Sequence, residues 1–320
     1  MFGREELEER IQITETTVEC PVKNCDKKVE RQKGVFKREE KFKCPKHNIY
    51  ISPSTFEYEN ELRNLLWKDK TDLDFFNKIK KVKRESRIAR DNSEDALTWN
   101  VFRFLERNKL LCEFLQNLIH ICEDKIEIIY WSYSQSQESV WDMSNRGREE
   151  FELVHSKGSE PDVIILGDKN LIFIEAKFCA NNETIPYKLY VEDKYVSGGN
   201  GRWNKVFRCD FKTVAAENKK YELSRFWLIG SWIAKQLHRN FYLINITLSK
   251  RGENIEEIFK KHIVENNSRI FKRITWEQIY GYISNSNFSA DDKKIIIRYF
   301  KNKSMGYDSN GILQHAFSIS

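Results

Sequence analysis

The chain has 320 residues, of which 40% are hydrophobic and 32% charged, with a formal charge of +6. That length accommodates a main core and a small extra module, and the composition argues against extended disorder. No apolar run reaches the length of a membrane span and the start, MFGREELEER, is charged, so neither a span nor a signal peptide is expected and cytoplasmic residence is the default.

The positive charge gives mild support for a polyanionic partner. Seven cysteines, an odd count in a chain read as cytoplasmic, argue against a disulfide scaffold. Three of them lie early. Cys20 and Cys25 close the run C-P-V-K-N-C, and Cys44 opens C-P-K-H, which ends in His47. Two close pairs of soft ligands separated by a hairpin-sized spacer suit tetrahedral zinc. Four protein ligands leave no open position for chemistry, so the ion's expected job is structural. Charged surroundings disfavour the alternative of inert core thiols beside a surface histidine. Residues 1–55 are read as a zinc-ribbon-like module, with a short strand and turn in NIYISPSTFEY.

Residues 56–91 read as a helical basic linker, helical from Phe56 to about Ile88. Lys78, Lys80, Lys81, Lys83, Arg84, Arg87 and Arg90 crowd its end, opposed by Glu85. Such a run is either a solvated face or a surface for a nucleic-acid backbone.

The main domain is placed at 92–320. RDNSEDALTWNVFRFLERNKLLCEFL predicts a helix with Asn92 as cap, Asp95 as the capping-box acid and an apolar face of Leu97, Val101, Phe104 and Leu105. Glu94 falls at the N-terminal edge of the inward face. KIEIIYWSYS predicts a strand. EPDVIILGDKNLIFIEAKF predicts two adjacent strands around a turn at Gly167–Asn170. The strand period of two puts Glu175 and Lys177 on one side and Ala176 on the other. A register that aligns Asp162 with Glu175 brings both carboxylates to one place. Residues 180–215 read as irregular, with SGGNGRW at 197–203 as a flexible loop facing substrate. YELSRFWLIGSWIAKQLH predicts an amphipathic helix in which Gly230 allows close packing and Tyr221, Arg225 and Trp232 form a substrate-side edge. NFYLINITLS predicts a strand completing a mixed sheet. Three short helices, in ENIEEIFKKHI, TWEQIYGYI and ADDKKIIIRYFKNK, and an ordered tail close the chain.

Hydrolysis of a phosphodiester requires activated water and stabilisation of developing charge. Magnesium and manganese prefer oxygen ligands. Asp162 and Glu175 would hold such an ion, with the Ala176 carbonyl as an extra ligand and Glu94 completing the set or holding a second ion. Lys177 would position the attacking water or stabilise negative charge. Both one-metal and two-metal schemes fit. His155 and Cys179 are expected to play no catalytic part, Trp203 either stacks on a base or covers core, with core preferred, and neither a P-loop nor a Ser-His-Asp arrangement is identifiable.

With Pro161-Asp162, Glu175-Ala176-Lys177 and a preceding helix acid in place, residues from about 93 to 250 resemble the PD-(D/E)xK nuclease superfamily. Glu94 matches the helix acid, Asp162 the strand aspartate, and Glu175 with Lys177 the E-x-K strand; Glu149, Glu150 and Glu152 are nearer alternatives to Glu94. The resemblance implies an α/β restriction-endonuclease-like core, a central mixed β-sheet flanked by helices, magnesium dependence and action on DNA more often than RNA. The zinc module and C-terminal portion fall outside it. The resulting expectation is a metal-dependent DNA endonuclease, in restriction or anti-phage defence. A homodimer would supply two active sites for a double-strand cut, and a defence-system partner protein fits the same role. The competing readings are an RNA or structure-specific nuclease with the same site, and a non-catalytic nucleic-acid-binding protein with a vestigial core.

Overall fold

The computed structural model describes residues 1–83, 86–152, 160–186, 192–286, 288 and 291–319. The chain forms two compact units. One comprises Met1–Leu73, Ser86–Phe104 and Tyr280–Ser320; the other comprises Asp74–Glu85 and Leu105–Ile279.

The first unit begins with an antiparallel pair, β1 (Thr17–Glu19) and β2 (Lys28–Glu30), followed by a three-stranded antiparallel sheet of β3 (Lys43–Cys44), β4 (Ile49–Ile51) and β5 (Phe56–Tyr58). The predicted boundary at residue 55 therefore cuts through a sheet. Phe56 and Tyr58 point into a small core with Val18, Val29, Ile49 and Ile51. The linker is less helical than predicted: helix α1 covers Lys70–Val82, and a short 3-10 turn covers Glu61–Asn64. Helix α2 (Glu94–Arg107) starts as predicted, but its cap is Ser93, whose hydroxyl accepts from the Ala96 N–H at 3.1 Å. Asn92 instead donates to the Met305 carbonyl, and Asp95 accepts from the Arg87 N–H.

The second unit continues with α3 (Leu111–Ile119), β6 (Ile126–Tyr130), β7 (Tyr133–Ser134), β8 (Ser139–Val140) and α4 (Asp142–Phe151). The predicted hairpin follows as β9 (Val163–Gly167) and β10 (Asn170–Ala176). Then come α5 (Glu192–Gly201), α6 (Trp203–Val206), α7 (Tyr221–Gln236), β11 (Asn240–Thr247), α8 (Ile255–Lys260) and β12 (Arg269–Thr275). Seven strands form one mixed sheet in the order β12-β11-β10-β9-β6-β7-β8, flanked by helices. β10, β11 and β12 run parallel, whereas β9 pairs antiparallel with both β10 and β6. The runs VIIL and LIFI are almost wholly buried, as central strands covered on both faces require. α7 packs its apolar face on β10 and β11, where Gly230 is essential: a Cβ there would lie 2.2 Å from the Phe241 ring.

Two expectations fail in this unit. SGGNGRW is a packed turn instead of a flexible loop. Gly199 has φ of +58°, and a Cβ would meet the Phe151 and Trp232 rings below 3 Å. The C-terminal portion is not purely helical either, because β12 lies within it.

Helix α9 (Trp276–Asn285) carries the chain back to the first unit, where α10 (Asp291–Asn302) precedes an antiparallel pair, β13 (Ser304–Tyr307) and β14 (Leu313–His315). This tail is built into the N-terminal module. The Tyr307 N–H donates to Ser54, that of Leu313 to Glu9 and that of Ile11 to Gly311. Buried Asp91 accepts from the Ser304 hydroxyl at 2.8 Å. The predicted domain of residues 92–320 is thereby corrected: residues 92–104 and 280–320 belong to the first unit.

Candidate active site and metal centre

In the first unit the four predicted ligands converge. Cys20 follows β1, Cys25 sits after a turn with Asn24 in the left-handed region, Cys44 ends β3, and His47 lies in the turn before β4. The Cys44 carbonyl accepts from the Asn48 N–H and closes that turn. Cys20 Sγ lies 3.4 Å and Cys44 Sγ 3.7 Å from His47 Nδ1, and Cys25 Sγ lies 3.8 Å from Cys44 Sγ. All four ligand atoms fall within 4.8 Å of one another. Tetrahedral zinc, with Zn–S near 2.3 Å and Zn–N near 2.05 Å, requires S···S of about 3.8 Å and S···N of about 3.6 Å. The set could hold a structural metal such as zinc. Burial pushes the Cys20 and Cys44 thiols up and the His47 imidazole down.

In the second unit, the β9–β10 register pairs Val163 with Ile174, which carries Asp162 alongside Glu175 as predicted. Asp162 is fixed at both oxygens. The Trp131 indole N–H donates to Oδ1 at 3.0 Å, and the Ala176 backbone N–H donates to Oδ2 at 2.9 Å. Glu175 and Lys177 share a face and form an ion pair. The Lys177 backbone is held on both sides, its N–H donating to Ile246 and its carbonyl accepting from the Trp276 indole. On the neighbouring parallel strand Asn245 aligns with Glu175, donates to its carbonyl and exchanges hydrogen bonds with buried Asn182.

Sequence reasoning missed Glu222. It stands in the first turn of α7, where its N–H donates to the Thr184 hydroxyl at 2.8 Å, and its carboxylate pairs with Lys177 at 2.8 Å. The Lys177 ammonium thus joins Glu175 to Glu222. Burial pushes the Glu175 carboxyl well above its ordinary 4.5, and the Glu222 carboxylate adds to the rise. For Glu222, burial also acts upward, but Lys177, a hydrogen bond with Glu175 and the charge of Arg225 together outweigh it, leaving the group below 4.5. Lys177 pairs with two carboxylates, Glu175 and Glu222, and a third, Asp162, lies close enough to Glu175 to raise its pKa.

Other predicted residues have different surroundings. Glu94 opens α2 in the first unit. Glu150 accepts from the Gly199 N–H, Glu152 pairs with Arg225, and Glu149 is exposed. Arg225 is thus a buried structural cation, Tyr221 shares a hydrogen bond with Tyr195, and Trp232 packs edge-on against Phe151. These contacts take the place of the predicted substrate-side edge. Trp203 is buried and stacks on Phe207, as a core residue should. His155 lies outside the described residues, as do Arg84 and Glu85 of the basic run. Within that run Lys78 pairs with Glu138, Lys83 lies over the Trp131 ring and Arg90 pairs with Glu57.

A cleft of about 390 Å³ opens beside Lys177, with Asn182, Lys220, Lys250 and Arg251 in its lining. Compared with known proteins, the chain matches no family model, no curated protein and no solved structure. Among the described residues, no helix is long and apolar enough to cross a membrane.

Proposed function

We propose that the second unit hydrolyses phosphodiester bonds in DNA, as a magnesium- or manganese-dependent endonuclease serving restriction or other defence against foreign DNA. The observation that carries this reading is the meeting of Asp162, Glu175 and Lys177 at one end of a buried hairpin, beside a cleft lined with cations. The β9–β10 hairpin with α7 and β11 is read as a PD-(D/E)xK core.

The donor chemistry fits a hard divalent cation. The carboxylates are oxygen donors and outnumber the one lysine among them, so an added cation would offset buried negative charge. Asp162, Glu175 and the Ala176 carbonyl are the residues that would hold it. When bound, the ion supplies an activated water and neutralises charge on the phosphate. The remaining work belongs to the chain. Trp131 and the Ala176 N–H fix the Asp162 carboxylate before substrate arrives. Glu222 keeps Lys177 in place, and Lys177, lining the cleft, donates to the phosphate oxygens where charge develops. Preorganisation of this kind removes the need to reorient groups during the reaction.

Matched DNA and RNA substrates of one sequence, incubated with magnesium or manganese, test this directly. Metal-dependent cleavage of DNA is expected, and Asp162→Asn is expected to abolish it. Cleavage of the RNA alone would reassign the substrate, and no cleavage of either by the wild-type chain would favour a binding role.

A further inference from the structure

Lys220 immediately precedes α7 and lines the cleft beside Lys177. Its backbone is fixed, the N–H donating to Val214 and the chain forming a parallel bridge with Thr184. The residue is only 7% exposed. Among the described residues its ammonium has no hydrogen bond or ion pair, although neighbouring Lys219 pairs with Glu183. Burial desolvates this charge, and the carboxylate of Glu183 offsets part of the cost without bonding to it. Burial accordingly pulls its pKa below 10.5. Lys250 and Arg251 line the same cleft, and Arg251 is anchored by donating to the Cys179 carbonyl at 2.7 Å. Lys177, Lys220, Lys250 and Arg251 face Glu183 and Glu253, so cations predominate in the lining.

We propose that this cleft is a phosphate-binding subsite in which Lys220 pairs with a phosphate of the nucleic-acid strand next to the one at Lys177. The assignment rests on the nuclease reading for the identity of the strand, but not on hydrolysis. An incoming phosphate supplies the acceptor that Lys220 lacks, and charge-assisted pairing of this type is strong where water is excluded. Lys220 is a positioning residue: it sets where the backbone lies relative to Lys177.

The test measures binding of a fluorescein-labelled oligodeoxynucleotide to the full chain by anisotropy, with no divalent metal added, so that failure to cleave cannot mask binding. Lys220→Met is expected to weaken binding about 10-fold at about 0.1 M salt and to reduce the slope of log affinity against log salt by about one. Lys220→Arg is expected to retain most of the affinity. Lys235→Met removes an exposed lysine near the other end of α7 and is expected to change little. Lys220→Met is also expected to melt at a higher temperature than wild type, because a partly desolvated charge with no hydrogen-bond partner is gone. Competition by a mononucleotide separates a subsite for a strand from one for a free phosphate monoester: weak competition supports the strand, and competition as strong as the oligonucleotide's own overturns it. Equal affinity and slope in Lys220→Met and wild type, equal losses in Lys220→Met and Lys235→Met, or a lower melting temperature for Lys220→Met would each overturn the assignment.

Discussion

At Glu175 the demands of stability and of the proposed chemistry conflict. Its carboxyl is held well above 4.5 by burial and by Glu222. A raised pKa favours the protonated form, so the stability it contributes is present below the ordinary value and lost as pH rises through the folded one. Glu175→Gln removes this titration. Its melting temperature relative to wild type is therefore expected to shift in the variant's favour between about pH 5 and about pH 8, while cleavage falls by about 10²-fold or more. Glu222 has the opposite sign. Lys177 holds it below 4.5, so its contribution is present above that value and lost in acid. The Glu222→Gln deficit is expected at neutral pH and should close as pH falls below the ordinary carboxylate range; a pH series of thermal melts checks both. Asp162, Glu175 and Lys177 were legible in the sequence because strand periodicity puts Glu175 and Lys177 on one face and the short hairpin restricts the register that brings Asp162 beside Glu175. Glu222 was not. An acid in the first turn of a helix is explained by the helix dipole, and nothing local to YELSR reveals a lysine from another element beside it.

Elements were legible where pattern and packing agree. The hairpin around Gly167–Asn170 and the helix beginning at Tyr221 were both recognisable, since long apolar runs bounded by turn residues leave few alternatives. β12 was overlooked because RIFKRIT carries three basic residues. Tertiary partners for those cations explain it: Arg273 donates to the Leu248 and Ser249 carbonyls and Lys272 to that of Leu118. The turn at 197–203 was misread because glycine signals freedom in sequence, whereas here it allows close approach to aromatic rings. Gly230 gives the sharpest test of α7 packing. Gly230→Ala places a methyl 2.2 Å from Phe241 and is expected to destabilise the protein by about 1–3 kcal/mol in chemical denaturation. An unchanged midpoint would mean that α7 does not sit this close to β11.

For the whole molecule, the metal centre and the carboxylate cluster belong to different units, and their contributions should be separable. The apolar cluster around the four ligands is small, so a bound zinc would contribute much of the stability of that part of the first unit. One zinc per chain is expected by elemental analysis, and Cys44→Ser is expected to lose it together with the protection of first-unit amides from hydrogen exchange. Amides of β9 and β10 should remain protected. Neither the C-terminal return to the first unit nor the pairing of Tyr307 with Ser54 could be read locally, because both depend on contacts between opposite ends of the sequence. We propose above that Asp162, Glu175 and Lys177 form a phosphodiesterase site. Its most direct test is cleavage of supercoiled plasmid DNA with magnesium or manganese, wild type beside Asp162→Ala and Lys177→Ala, with folding and zinc content verified. Nicked or linear product is expected from wild type and none from either variant. Cleavage undiminished in both folded variants would contradict the proposal and place the chemistry elsewhere.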